Sequence, residues 1–263
     1  MCRGVDEGFL LVGYTFSRGG DSDLMVTKTD SNGTVVWSKA FGGTGVEYGN
    51  ACLTTRDSYL VTGFTTSIGA GSRDVIAIRL DAQGAPIWTK TYGGKELDVG
   101  TALAESSEGR YVIAGFSRSF GVGEEDVYLI EIDSEGNLCW QRSYGGSRSE
   151  MGCSVHVVPE GGFVLGSTTG TFGKGNCDFY LTRTDDQGNE IWSIPFGNKG
   201  WRGYGYDWMS ASVPARDGGW VLVGHTDARD ILDVYVTKVD RKGRPVWSKI
   251  LGDGPFYDYG SSV

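Results

Sequence analysis

Histidine, cysteine and positive charge are all scarce, and each scarcity removes a class of explanation. Only His156 and His225 are present, and neither an H-E-x-x-H nor a G-x-S-x-G pattern accompanies them, so nucleophilic catalysis has little support. The five cysteines (Cys2, Cys52, Cys139, Cys153, Cys177) are odd in number and lack C-x-x-C spacing. They read as free thiols, mostly buried small hydrophobes, ahead of a disulfide framework or metal site. Lys plus Arg number 24 against 33 for Asp plus Glu, a net charge of −9, which argues against nucleic acid as a partner. No apolar run approaches the roughly 18 residues that span a bilayer, and the first six residues lack the order of a signal peptide. A soluble mature domain without a membrane span is expected, with any export signal outside this stretch. Proline is rare at 6 residues, whereas glycine is abundant at 43 and falls at fixed positions. That is turn-rich β structure without low-complexity linkers.

What fills the chain instead is one stretch repeated five times. DSNGTVVW (Asp30 to Trp37) returns as DAQGAPIW (Asp81 to Trp88), DSEGNLCW (Asp133 to Trp140), DDQGNEIW (Asp185 to Trp192) and DRKGRPVW (Asp240 to Trp247). The tryptophans are spaced by 51, 52, 52 and 55 residues, and a period near fifty made of short strands signals a propeller. In each copy Asp followed by Gly three positions later is turn chemistry, so the element is a hairpin whose second strand carries the Trp.

The rest of the repeat supplies three more strands. An apolar run, Gly8 to Thr15, recurs as Tyr59 to Thr65, Tyr111 to Ser117, Phe163 to Thr169 and Trp220 to Thr226, as suits a strand covered on both faces. A second strand follows Asp23, Asp74, Asp126, Asp178 and Asp233, and a last one begins near Glu47, Asp98, Glu150, Asp207 and Asp258. The position two after the acid strand's Gly is always small (Ala51, Ala102, Ser154, Ala211, Ser262), as inner strands converging on an axis require. Met1 and Val263 fall at the same position of the repeat. The expected fold is therefore all-β: a single domain over residues 1–263, a five-bladed β-propeller with four antiparallel strands per blade. The N- and C-terminal segments are expected to share one blade and close the ring. The tryptophans should lie toward the periphery and pack between blades.

The apolar strand ending in Gly-aromatic-Thr, the Asp-x-x-Gly-x-x-x-Trp hairpin and the Tyr-Gly-Gly turn together resemble the β-propeller repeats of secreted and surface proteins of bacteria and archaea. The hairpin and its Trp are also similar to the tryptophan-docking repeat of quinoprotein-type propellers. The resemblance covers the whole chain and implies an extracytoplasmic protein, and it carries no catalytic residue over. The sequence has no vicinal Cys-Cys pair, so a quinone cofactor is not supported.

Candidate sites lie at one mouth of the expected channel. The acids Glu47, Asp98, Glu150, Asp207 and Asp258 would ring it, with the second set of Asp residues farther out on the same face. One reading is a Ca²⁺ or cationic-ligand site. The favoured reading is that each acid caps backbone N–H groups in or beside its own blade. The repeat breaks between Phe196 and Asp207, where the insertion NKGWRGYGYDW (Asn198 to Trp208) brings Trp201, Arg202, Tyr204, Tyr206, Asp207 and Trp208 together, with His225 nearby. Aromatic faces beside hydrogen-bonding groups suit a sugar or a peptide; alternatively the loop plugs the mouth with its own rings. The leading expectation is a monomeric, non-enzymatic, secreted or surface-displayed propeller binding a carbohydrate or protein on this face. The alternatives are a glycoside-processing enzyme using two of the acids, or a rigid spacer.

Overall fold

The computed structural model describes residues 1–4, 6–16, 21–197, 205–228, 232–252 and 256–262. These residues carry twenty strands and no helix. The first sheet contains β1 (Cys2–Arg3), β2 (Phe9–Phe16), β3 (Ser22–Thr29) and β4 (Val35–Phe41), and the second β5 (Glu47–Thr54), β6 (Tyr59–Thr65), β7 (Asp74–Leu80) and β8 (Pro86–Tyr92). The third is built from β9 (Asp98–Ser107), β10 (Arg110–Ser117), β11 (Asp126–Asp133) and β12 (Leu138–Tyr144). The fourth comprises β13 (Glu150–Val157), β14 (Phe163–Thr169), β15 (Asp178–Thr184) and β16 (Glu190–Phe196). The fifth comprises β17 (Asp207–Pro214), β18 (Trp220–Thr226), β19 (Asp233–Val239) and β20 (Pro245–Leu251). In each sheet sequence neighbours pair in order, so the five four-stranded antiparallel sheets are the blades of a five-bladed β-propeller. Contacts group the chain into two compact units, residues 1–120 with 129–141, and residues 121–128 with 142–263.

Burial follows the sequence pattern. All seven residues of β6 and all seven of β14 are buried, which is why these strands read as unbroken apolar runs. The fourth strands β4 and β8 are mostly exposed or half-buried. The glycine before the aromatic residue of the second strand has a steric reason: a Cβ on Gly63 would collide with the Tyr48 carbonyl, and one on Gly224 with that of Trp208. Both collisions arise where the inner strand carries a register shift, between Gly49 and Ala51 and between Met209 and Ala211.

The hairpins and their tryptophans are built as the repeat requires. Asp81 accepts the backbone N–H groups of Gln83 (2.9 Å) and Ala85 (2.7 Å), and Gly84 takes φ +73. In the first unit Trp37 donates its indole N–H to the Ala82 carbonyl of the next blade's hairpin (3.1 Å), and Trp88 donates to that of Ser134 (3.0 Å). In the second unit the Trp192 ring covers Gly243, 2.9 Å from where its Cβ would stand. These tryptophans thus join successive blades.

Of the inner strand expected to be divided between the termini, the described residues show the N-terminal portion as β1, paired Cys2 to Leu10 and Arg3 to Phe9. Residues 256–262 carry no strand. Gly260 lies against the Gly224 carbonyl, Val223 and Val234, seated on the fifth blade by packing rather than by a ladder.

Candidate functional site

Several of the repeated acids are occupied in capping. Glu47, 1 % exposed, accepts the Thr65 hydroxyl (2.7 Å) and the Gly43 N–H (2.9 Å). Burial opposes ionisation there, yet the hydrogen bonds from Thr65, Ser67 and Gly43 hold its carboxyl below the usual range. Glu150 repeats the pattern with Thr169 (2.7 Å) and Gly146 (2.6 Å), and Asp98 accepts from Gly94 (2.8 Å) and Ser119 (2.7 Å). The second set does the same for the preceding loop: Asp178 accepts the N–H groups of Lys174 (2.9 Å) and Gly175 (3.1 Å). Among the described residues no three His, Cys, Asp or Glu side chains converge as a metal site would require. Capping bonds are thus seen at Glu47, Asp74, Asp98, Asp126, Glu150 and Asp178, while one buried oxygen each of Asp98, Asp178 and Asp233 has no hydrogen-bond partner among the described residues.

The broken repeat places its residues unevenly. Trp201, Arg202 and Tyr204 lie outside the described residues. Asp207 is 0 % exposed, and its backbone N–H bonds the Cys177 carbonyl (2.8 Å), so it is a buried framework residue. Tyr206, 49 % exposed, is held by its own N–H bonding Asp227 (2.8 Å). His225 faces Tyr259 edge to face at 5.1 Å, and burial lowers its pKa, leaving a neutral ring at neutral pH. The other histidine, His156, is similarly lowered by burial and bonds Ser212 (2.9 Å), which in turn bonds Ser154 (2.7 Å). That trio ties two inner strands together inside the second unit.

Among the described residues of the set, Trp208 lines a cleft. It is 38 % exposed, and it lines a cavity of about 260 Å³ with Glu124, Arg148, Ser149, Met151, Asn176 and other residues. The floor is fixed from several strands. Trp208 pairs with His225 across β17 and β18, the next residue, Met209, donates its N–H to the Thr168 hydroxyl (2.9 Å), and Asn176 donates its N–H to the Gly205 carbonyl (2.7 Å). Arg148 is anchored by its backbone N–H to the Thr171 hydroxyl (2.9 Å), and one guanidinium N–H reaches the Gly170 carbonyl (3.4 Å). Ser149 bonds both Glu124 (3.3 Å) and Glu125. The cleft is thus lined by an aromatic residue, a cation, a carboxylate, an amide and a hydroxyl residue within the second unit.

Arg148 and Asn176 carry no mark in the sequence pattern except variation between copies. Arg148 stands where other blades have Gly45 or Glu96, and Asn176 where they have Ser72 or Glu124. Positions that differ among otherwise matched repeats were the available signal.

A family described as outer membrane protein assembly factor BamB matches residues 2–162, more than half of the sequence. The chain belongs to this family. Its hairpin and tryptophan repeat accordingly resembles the quinoprotein-type repeat. Regulatory protein FlaEY of Caulobacter vibrioides is 26% identical over 167 residues, covering 55% of this chain and 16% of that protein. The chain thus spans about a sixth of that relative's length. Among solved structures, the Neurospora crassa Pan2 WD40 domain is similar at a TM-score of 0.55 and 12% identity, over 95% of this chain and 67% of that one. Synechocystis apocarotenoid oxygenase is similar at 0.55 and 13%, over 97% and 60%. At these identities the likeness concerns the fold alone.

Proposed function

We propose that the chain is a non-enzymatic binding module, displayed outside the cytoplasm, that takes a carbohydrate in the cleft beside Trp208. The observation that carries this reading is Trp208, 38 % exposed, lining a cavity together with Arg148, Asn176, Ser149 and Glu124. A flat apolar face with several oriented donors and acceptors around it matches a sugar ring, which presents C–H groups on its faces and hydroxyls at its edge. Membership of a family named for outer membrane protein assembly supports a place at the cell envelope. The similarity to a protein named as regulatory supports binding over chemistry.

Capping of the repeated acids weighs against the glycosidase alternative. Such an enzyme needs one protonated and one ionised carboxyl free to meet substrate, whereas Glu47, Asp98 and Glu150 are buried and hydrogen-bonded in their own blades. A glycan array probed with the wild-type protein and with Trp208→Ala tests the reading. Binding that disappears in the variant supports it, and a wild-type protein that binds no glycan favours the spacer.

A further inference from the structure

Cys2 and Cys52 stand together in the first unit although they are 50 positions apart in the chain. Cys2 pairs with Leu10 in the ladder between β1 and β2, and the Cys52 thiol donates to that same Leu10 carbonyl at 3.5 Å. The Cys2 sulfur lies 3.5 Å from the Thr54 hydroxyl, on the residue of β5 that shares a face with Cys52. Both thiols pack against one apolar cluster that includes Leu10, Leu24 and Tyr59. β1 pairs with β2 through only two residue pairs, and the Thr54 hydroxyl of β5 also donates to the Arg3 carbonyl.

We propose that Cys2 and Cys52 form a reversible disulfide staple that clamps β1 to β5. The two thiols are unequal in a way that suits the reaction. A hydrogen bond from Cys52 lowers the Cys2 thiol to about 7, while the same contact pushes Cys52 up. Cys2, part-exposed and with the lowered thiol of the pair, attacks first. With oxidised glutathione as the oxidant, the Cys2 thiolate attacks one sulfur of that disulfide and releases one glutathione thiolate. Cys52 then loses its proton and attacks the Cys2 sulfur of the mixed disulfide, releasing the second glutathione. The protein gives up two electrons and two protons, and one oxidised glutathione becomes two reduced ones. Closing a loop of this length removes much of the freedom of the unfolded chain, so the oxidised form should be the more stable.

The test incubates the whole chain with oxidised glutathione, blocks remaining thiols with iodoacetamide after unfolding, and maps unreduced peptides by mass spectrometry. The expected result is a peptide pair joined through Cys2 and Cys52, with Cys139, Cys153 and Cys177 not linked to either. The melting midpoint should rise by several degrees over the reduced protein, and the rise should vanish in Cys52→Ala. Recovery of Cys2 as a lasting glutathione adduct, alkylation of both residues, or an unchanged midpoint in the linked protein would overturn the proposal. Because wild-type peptide mapping needs no variant to fold, a failure of Cys52→Ala leaves the test intact.

Discussion

The Trp37 ring lies on Gly84 of the neighbouring hairpin, 2.9 Å from the position a Cβ there would occupy. Gly84 also holds φ +73, so two separate requirements meet at one residue. Gly33, the same position in the first hairpin, has φ +84 but open space around it. Gly33→Ala should therefore cost only the left-handed backbone strain of about 1–2 kcal/mol. Gly84→Ala should cost about 1–2 kcal/mol more, because the ring must shift or undock. Urea titration of both variants checks the difference, and equal losses would contradict the docking role of Trp37.

That pair also shows how far the sequence could be read. Five blades, four strands each and an inter-blade tryptophan follow from Asp30 to Trp37 and its copies, because repetition averages away local ambiguity. The acids were legible for the same reason: a carboxylate present in every blade, such as Glu47 or Glu150, has a task that every blade shares. The cleft was hidden for the complementary reason. Arg148 and Asn176 come from turns of the fourth blade that look ordinary in the chain, and only folding brings them to Trp208. In the sequence Asp207 reads as part of a ligand set beside Arg202, whereas the fold buries it completely.

Asp178 separates capping from charge. Asp178→Ala leaves the N–H groups of Lys174 and Gly175 without their acceptor and should lose about 2–4 kcal/mol. Asp178→Asn keeps an acceptor and should stay within about 1 kcal/mol of wild type. Burial raises the Asp178 pKa, so the native state holds the proton more tightly than the unfolded one, and its contribution to stability declines as pH rises from about 4 through the folded value. The Asn variant should therefore gain on wild type between pH 4 and pH 7. Chemical denaturation at both pH values measures this, and a gap moving the other way would refute it.

Asp240 should show the opposite sign. Hydrogen bonds from the Arg244 side chain and backbone hold its carboxyl at about 2. A depressed folded pKa gives stability that is present above about pH 4 and fades as pH falls toward 2. The advantage of wild type over Asp240→Asn in melting midpoint should be seen at pH 6 and shrink by pH 2.5. A constant advantage would show that Asp240 acts through shape alone.

Oligosaccharide binding at Trp208 is tested most directly by isothermal titration of the strongest array ligand into the wild-type protein, Trp208→Ala and Asn176→Ala. Wild type should bind, Trp208→Ala should weaken binding tenfold or more, a loss of at least about 1.4 kcal/mol, and Asn176→Ala should weaken it measurably. The melting midpoints should stay within a degree or two of wild type, since the part-exposed indole contributes little to the core. Equal dissociation constants for wild type and Trp208→Ala, or a variant that loses binding only because it has unfolded, would contradict the assignment of the cleft.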